Sequence, residues 1–325
     1  MSIILADVGG TYARFAISAG KHPSLRHITR LRCMDFDGFE DAFKRFLAGL
    51  PRDEQSSYHV LSLAVAGPVN DQTVEISNNH WQFEKNRLLD QLKLDKLLVI
   101  NDFTAQALAQ QEVADIDRIQ LLDGTEDASA PLLVIGPGTG LGVSALIPVA
   151  QGPLPIEGEG GNIRFAPQNE LERDLSNYME EQTDHVVVEH FVSGPGLENI
   201  HRFLTNEAGT GSSLSAETIT ATALCEEGIC RDAVNLMMGI LGAVMGDHVL
   251  TMGCWRGAVI TGGIMPYLQP LIASSPLERR FRSVGEMSYI LGDVPVFLST
   301  DPYAGLKGAK AAFAHPYLAH RMVTV

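Results

Sequence analysis

The hydrophobic positions fall into short apolar runs that alternate with amphipathic stretches of helical spacing. Such runs are typical of strands buried in a sheet, and such stretches are typical of helices that pack against it. The predicted strands are 3–8, 12–17, 25–33, 60–66, 97–100, 132–135, 143–146, 258–261 and 294–298. The predicted helices are 38–50, 86–94, one beginning near 104, 171–181, 233–252 and 304–314. This order predicts an α/β fold.

The first two strands predict a hairpin with an unusual tip. Asp7 lies at the end of the first apolar run, and Gly9, Gly10 and Thr11 precede the second run, which contains Arg14. Small residues let backbone N–H groups approach an anion, and a carboxylate suits Mg²⁺ beside phosphates. The tip is therefore a candidate nucleotide-phosphate clamp, although Gly-Gly also occurs in ordinary hairpin turns.

A second segment, 132–146, repeats this plan. It has a buried strand, a tip containing Gly138, Thr139 and Gly140, and a second apolar run after the tip. No lysine follows the glycines as a Walker loop requires, and their spacing differs from the G-x-G-x-x-G dinucleotide fingerprint. The two copies predict two related lobes, each with a phosphate-binding turn.

Asp102 is the candidate catalytic residue. It follows the apolar run 97–100, which is typical of a central parallel strand, and ligands bind beyond the carboxyl ends of such strands. A carboxylate there can accept the proton of a hydroxyl that attacks a phosphate, and Asn101 adds an amide beside it. The alternative is that Asp102 caps the next helix.

Further polar residues predict a site for a neutral polyol. Glu159 lies in a glycine-rich loop with Asn162 three residues later, and Glu189 stands among apolar neighbours, which is costly unless it is paired or binds a ligand. The alternatives are that Glu159 lies in a solvated loop and that Glu189 is a salt-bridged helix residue. Asn78 belongs to a polar loop that lines a sugar pocket or forms a turn. Gly262-Gly263 lets backbone approach adenine, or forms a left-handed turn.

Composition narrows the classes of partner. A net charge of −15 argues against binding to nucleic acid or to an anionic membrane, because both depend on basic surface. The four cysteines show no zinc spacing, and no signal peptide is recognisable, so we expect a cytoplasmic protein. The apolar stretch 233–252 contains Asp247 and His248, which favours a core helix over a membrane span.

Together these motifs resemble the bacterial ATP-dependent glucokinase family, within the actin-like (ribonuclease H-like) superfamily of sugar kinases and ATPases. The resemblance covers essentially the whole chain. The matching segments, in chain order, are 7–14, 101–105, 138–142, 158–161, 193–197 just after Glu189, and 261–264.

The resemblance implies a two-lobed actin-like α/β fold that binds sugar and nucleotide in the cleft between the lobes. The small lobe would comprise 1–110 and a C-terminal helix in 302–325, and the large lobe 111–301. The implied reaction is transfer of the ATP γ-phosphate to the 6-hydroxyl of D-glucose, with Mg²⁺ accompanying ATP. The family also implies a homodimer whose ligands are glucose and ATP.

The resemblance also assigns residues. Asp102 would be the catalytic base, and the sugar would be bound by Asn78, Asn101, Asp102, Glu159, Asn162 and Glu189. ATP would be bound by Asp7, Gly9, Gly10, Thr11, Arg14, Gly138, Thr139, Gly140, Gly262 and Gly263, with Asp7 holding Mg²⁺ through water. The family commonly has histidine at the position of Asn162, so the preferred anomer or epimer is open.

Three other functions remain possible at this point. They are a related hexose or N-acetylhexosamine kinase, a non-enzymatic sugar-responsive regulator, and an actin- or chaperone-like ATPase acting on proteins. Regulators of this kind usually add a basic DNA-binding domain or lose the base, whereas this chain keeps Asp102. The chain also lacks the cysteine-rich zinc motif that the repressor/ORF/kinase family carries after the sugar loop.

Overall fold

A computed structural model describes every residue of the chain except 1, 20–23, 53, 56, 57, 70, 71, 210 and 212. The chain divides into two compact units. The first comprises Met1–Ala114, Val149–Glu157 and Asp301–Val325, and the second comprises Asp115–Pro148 and Gly158–Thr300. Val149–Glu157 thus belongs to the first unit, whereas the predicted boundaries assign it to the large lobe.

The nine predicted strands and six predicted helices are present, together with five further strands and five further α-helices among the described residues. In chain order the strands are β1 (Ser2–Val8), β2 (Tyr12–Ala19), β3 (Leu25–Arg32), β4 (Val60–Val65), β5 (Thr73–Glu75), β6 (Gln82–Glu84), β7 (Lys96–Asn101), β8 (Arg118–Leu122), β9 (Leu132–Pro137), β10 (Leu141–Ile147), β11 (Leu154–Glu157), β12 (Gly257–Ile260), β13 (Val296–Ser299) and β14 (Met322–Thr324). The helices are α1 (Phe39–Ala48), α2 (Lys85–Gln91), α3 (Asp102–Ala109), α4 (Glu170–Glu180), α5 (Gly194–Glu207), α6 (Ala216–Cys225), α7 (Ile229–Met252), α8 (Met265–Ile272), α9 (Leu277–Arg282), α10 (Ser288–Leu291) and α11 (Ala304–Phe313).

The first unit is built on a sheet of order β14-β7-β4-β1-β2-β3. β1, β4 and β7 are parallel, whereas β1 and β2 form the predicted antiparallel hairpin. Successive residues of β1 point to opposite faces. Ile4 therefore belongs to one apolar cluster with Phe15, while Leu5 packs with Leu306 of α11 in another.

Aromatic rings form the centre of the larger cluster. Phe39, Phe43 and Phe46 recur at helical spacing on α1, and their ring centroids lie 5.8, 6.4 and 5.1 Å from that of Phe15 on β2. All four rings are buried. The predicted helix therefore does pack its apolar face on the sheet.

The second unit repeats the strand plan of the first. Its strands lie in the order β10-β9-β12-β13-β8, with β9 and β10 as a hairpin and β9, β12 and β13 parallel. The corresponding strands of the first unit have the order β2-β1-β4-β7. The long helix α7 is apolar enough to cross a membrane by length and composition, but 78% of its most apolar window is buried in the protein.

The helix predicted over 304–314 is confirmed as α11, but the rest of the segment 302–325, which the predicted lobe boundaries gave to a C-terminal helix, is not α-helical. The helix ends at Phe313, and Pro316 opens a 3-10 segment, Pro316–Arg321. Proline lacks the N–H needed inside an α-helix and disfavours helical backbone before it. The last residues instead form β14, which pairs antiparallel with β7, Met322 lying opposite Leu98.

We expect Gly308→Ala to destabilise the first unit. A Cβ at Gly308 of α11 would collide with the main-chain carbonyl of Ala105 in α3, so the two helices would have to separate. Overpacking of this kind costs about 1–3 kcal/mol. Chemical denaturation should show this loss.

Gly239→Ala is the matched control. Gly239 also lies inside a helix, but a Cβ there would sit 3.6 Å from Pro276 Cβ, an ordinary contact. Alanine favours helix by about 1 kcal/mol over glycine, so this variant should be neutral or stabilised. Equal stabilities for the two variants would contradict the helix packing described here.

Candidate functional site

Parallel pairing brings several predicted site residues of the first unit to one sheet edge. Asp7 of β1 is paired with Ala64 of β4, and Val65 of β4 with Asn101 of β7. The carboxyl ends of the three parallel strands therefore lie side by side. The turn after β1, the start of the loop after β4 and the start of α3 all leave from this edge.

The Asp7 carboxylate is fixed by its neighbours. Arg14 lies opposite Asp7 in the hairpin, and its Nη1 is 3.4 Å from Asp7 Oδ2. Gly305 of α11 also lies against this carboxylate, since a Cβ there would be 2.5 Å from the Asp7 carboxyl carbon. Burial raises the pKa of Asp7 above its ordinary value, although the Arg14 guanidinium opposes that rise. Asp7 thus offers carboxylate oxygens in a fixed position beside the first glycine turn.

The first glycine turn is held by residues that the sequence analysis did not single out. Gly9 N donates to Tyr12 O at 3.0 Å and closes the turn that contains Gly10 and Thr11. Asn79 Nδ2 donates to Gly9 O at 3.1 Å, and the buried thiol of Cys33 is 3.7 Å from the same oxygen. The neighbour of Asn79, Asn78, is exposed and has a left-handed φ of 56°.

The alternative that Asp102 caps α3 is wrong, because the cap is Asn101. Asn101 Oδ1 accepts from Phe103 N at 2.8 Å and Thr104 N at 3.2 Å, and Asn101 Nδ2 donates to Gly67 O at 3.1 Å. Asp102 is the first residue of α3, which is why the helix begins earlier than predicted. Its carboxylate is half-buried, and its Oδ1 also accepts from Phe103 N at 2.9 Å.

In the second unit, two glycine turns lie against each other at the carboxyl ends of β9 and β12. Gly138–Gly140 follows β9, and Gly262-Gly263 follows β12, its parallel neighbour. Gly262 has a φ of +94°, which favours glycine, and a Cβ there would collide with Pro137 O. Thr139 is exposed at the tip, and Gly138 O accepts from Gly194 N at 2.8 Å, at the start of α5.

Glu189 links the second glycine turn to the predicted sugar residues. It lies in a 3-10 turn, Val188–His190, and its Oε2 accepts from Leu141 N at 2.6 Å, just after Gly140. A Cβ at Gly140 would lie 2.5 Å from the same oxygen. The observed partner of this carboxylate is thus a main-chain N–H, and the alternative of a salt-bridged helix residue is not what the described contacts show.

The loop of Glu159 and Asn162 is packed on β10. Asn162 N donates to Glu159 O at 2.9 Å, and a Cβ at Gly160 would lie 2.7 Å from Val143 Cβ. Both side chains are exposed. Partial desolvation raises the pKa of Glu159, and the negative charge of Glu189 raises it further. The two carboxylates are therefore close enough to interact electrostatically.

His248, which the sequence analysis used only to assign α7 to the core, also contacts the Glu159 loop. It is buried on α7, and it interacts with the backbone of Gly160 in the Glu159 loop. Burial lowers its pKa, which favours the neutral imidazole. A cavity of about 490 Å³ elsewhere in the second unit, lined by Arg164 and Arg173 among others, includes none of the predicted site residues.

Comparison with known proteins places the chain in a family. The family model described as Glucokinase matches residues 4–316. The glucokinase of Hahella chejuensis is 36% identical over 312 residues, which is 95% of this chain and 96% of the relative. The chain belongs to the glucokinase family. This membership confirms the predicted family and the activity of an ATP-dependent hexose kinase.

Solved structures of glucokinases agree with the fold. A glucokinase from an Antarctic psychrotroph matches with a TM-score of 0.80 at 31% identity, covering 96% of this chain and 98% of that one. A ROK family glucokinase from Streptomyces griseus, solved with glucose and AMPPNP, matches with a TM-score of 0.65 at 19% identity over 95% and 98%. The actin-like α/β fold class of the glucokinases is thereby confirmed.

We expect Glu189→Gln to lower the pKa of Glu159. Removing one negative charge makes ionisation of the second carboxylate easier, so Glu159 should deprotonate at lower pH than in the unaltered chain. Carbon-detected NMR titration of the glutamate carboxyls measures this directly. Glu126→Gln, which removes an exposed carboxylate paired with Arg118, is the control and should leave Glu159 unchanged. An unshifted Glu159 in Glu189→Gln would contradict the coupling.

Proposed function

We propose that the chain transfers the γ-phosphate of ATP to the 6-hydroxyl of D-glucose with Asp102 as the general base. The observation that carries this assignment is the placement of Asp102 as the first residue of α3, directly beyond the carboxyl end of β7. Asn101 is occupied as the helix cap, so the neighbouring carboxylate is held by an ordered turn. A general base that must act on one hydroxyl is more effective when its backbone is held in one position.

The chemistry requires one proton acceptor. Oxygen-6 of the sugar forms a bond to the γ-phosphorus as the bond from that phosphorus to the β–γ bridging oxygen breaks. The hydroxyl proton passes to the Asp102 carboxylate, and ADP leaves. A carboxylate can accept this proton and orient the hydroxyl in line, whereas an amide in its place could only orient it.

The sugar hydroxyls are proposed to be bound by Asn78, Asn101, Asp102, Glu159, Asn162 and Glu189. Two features support this set. Glu159 and Glu189 are neighbouring carboxylates whose repulsion hydroxyl donors would relieve. The structural relative from Streptomyces griseus was solved with glucose and AMPPNP, which supports the same pair of ligand classes here.

The nucleotide is proposed to be bound by Asp7, Gly9, Gly10, Thr11, Arg14, Gly138, Thr139, Gly140, Gly262 and Gly263. The ion pair with Arg14 opposes the rise in the pKa of Asp7 that burial causes, and an ionised carboxylate suits contact with hydrated Mg²⁺. Among the residues that the structure describes, no group of three His, Cys, Asp or Glu could hold a metal. Asp7 would hold Mg²⁺ through water beside the ATP phosphates, where the ion would neutralise phosphate charge.

We also propose that the enzyme is a cytoplasmic homodimer that binds neither nucleic acid nor membranes. The strongly acidic net charge of −15 supports the second part, because polyanions repel such a surface. Dimerisation rests on the family resemblance. Analytical ultracentrifugation of the purified chain would decide it, and a single monomeric species would reject it.

We expect Asp102→Asn to lower kcat by about two to four orders of magnitude, the usual contribution of a general base, while glucose still binds. The change removes the proton acceptor but keeps the size of the side chain. A coupled assay for glucose 6-phosphate gives kcat, and calorimetry gives the glucose Kd.

Asp90→Asn is the control for this prediction. Asp90 is an exposed aspartate of α2 in the same unit, and its conversion should leave kcat unchanged. Asp102→Asn with kcat near that of Asp90→Asn would reject Asp102 as the base. A preparation of the unaltered chain that phosphorylates no hexose would reject the proposed reaction itself.

Two alanine variants of one glycine turn should separate sugar from nucleotide binding. Gly140→Ala displaces the Glu189 carboxylate and breaks its bond to Leu141 N, so we expect KM for glucose to rise about tenfold. A Cβ at Gly138 would meet nothing within 4 Å, so Gly138→Ala should leave KM for glucose unchanged and raise only KM for ATP. Equal changes in KM for glucose in the two variants would contradict the link through Glu189.

A further inference from the structure

The C-terminal segment of the chain is bound to the residues that lead into the Glu159 loop. Tyr317 Oη donates to Gln151 Oε1 at 2.8 Å, and His315 Nε2 lies 3.0 Å from Pro153 O. Arg321 forms an ion pair with Glu157, the last residue of β11. These contacts all lie within the first unit and attach 151–157 to the end of the chain.

Glu157 is the point at which this attachment reaches α3. Its Oε2 pairs with Arg321, and its Oε1 accepts from Thr104 Oγ1 at 2.9 Å. Thr104 is fully buried, and only 22% of the Arg321 side chain and 21% of the Glu157 side chain are exposed. A charge-assisted contact so shielded from water is less screened than a surface ion pair, so it can fix a geometry.

Thr104 lies in the first turn of α3, two residues after Asp102. Its N–H is bound by Asn101 Oδ1, and its hydroxyl is bound by Glu157. This turn is therefore held by two independent side chains. The position of Arg321 is in turn set by β14, because the next residue, Met322, pairs with Leu98 on the strand that ends at Asn101.

We propose that Glu157, oriented by Arg321, is a positioning residue for Asp102, an inference that rests on the proposed function of Asp102 as the base. Glu157 acts through Thr104 and the first turn of α3 and does not bind the substrate. A displacement of about 1 Å at a reacting group can cost up to about 100-fold in rate, so a small loosening of this turn lowers kcat. The C-terminal strand thereby contributes to catalysis by carrying Arg321.

The first test is a pair of substitutions at Thr104. Thr104→Val removes the hydroxyl but keeps the shape of the side chain, and it should lower kcat about tenfold with less than a twofold change in KM for ATP. Thr104→Ser keeps the hydroxyl and should restore kcat to within about twofold of the unaltered chain. If the role of Thr104 were purely structural, kcat of both variants would simply follow their melting temperatures.

The second test concerns the cation. Arg321→Met should lower kcat several-fold, whereas Lys310→Met, which removes the Lys310–Glu112 ion pair of the same unit, should not. The double variant Thr104→Val with Arg321→Met should be no slower than Thr104→Val alone, because both changes act through the Glu157 carboxylate. Additive losses would overturn the proposal.

A readout independent of activity separates this proposal from the assignment of Asp102. Hydrogen exchange at the amides of Phe103 and Thr104 should be faster in Thr104→Val and Arg321→Met than in Thr104→Ser and Lys310→Met. Equal exchange in all four variants would overturn the positioning role, whatever the enzyme phosphorylates. An inactive unaltered chain with this exchange pattern would reject the proposed reaction and leave the positioning of the Asp102 turn supported.

Discussion

Parallel pairing of strands is the constraint on which the candidate site residues depend. In the first unit it aligns Asp7, Ala64 and Ile100 across β1, β4 and β7, so the segments that leave these strands share one edge. In the second unit the pairing of β9 with β12 brings the glycine turns after them together in the same way. Neither set of residues is close in sequence. Their proximity follows from the hydrophobic runs that make these strands central.

Many polar groups at these edges form hydrogen bonds within the protein itself. Asn101 caps α3 and binds Gly67 O, and Glu189 binds Leu141 N. Buried or half-buried polar atoms need partners, so a free amide or carboxylate would be costly there. Such internal bonds also orient the remaining lone pairs and N–H groups. A residue such as Asn101 or Glu189 can thus have a structural partner and also be proposed for sugar binding.

Sequence patterns predicted the parts of the fold that depend on local periodicity. The hairpins, the central strands and the amphipathic helix α1 follow from spacing 2 or 3.6 and from glycine at the tips. β14 was missed because a strand of only three residues shows no periodic pattern. Its pairing partner, β7, is also distant in sequence. Asn79 and Glu157 were missed for a related reason. Each acts through one long-range hydrogen bond, to Gly9 and to Thr104, and nothing in its own neighbourhood marks it.

The discontinuity of the first unit has a consequence for how the protein is made. That unit draws on three separate stretches, and the last of them, Asp301–Val325, supplies both α11 and β14. Because synthesis runs from the N-terminus, these residues are made after the whole of Asp115–Pro148 and Gly158–Thr300. The sheet of the first unit therefore has an unpaired edge at β7 until β14 has been made. A nascent chain that has not yet reached β14 would expose that edge to aggregation or to chaperones.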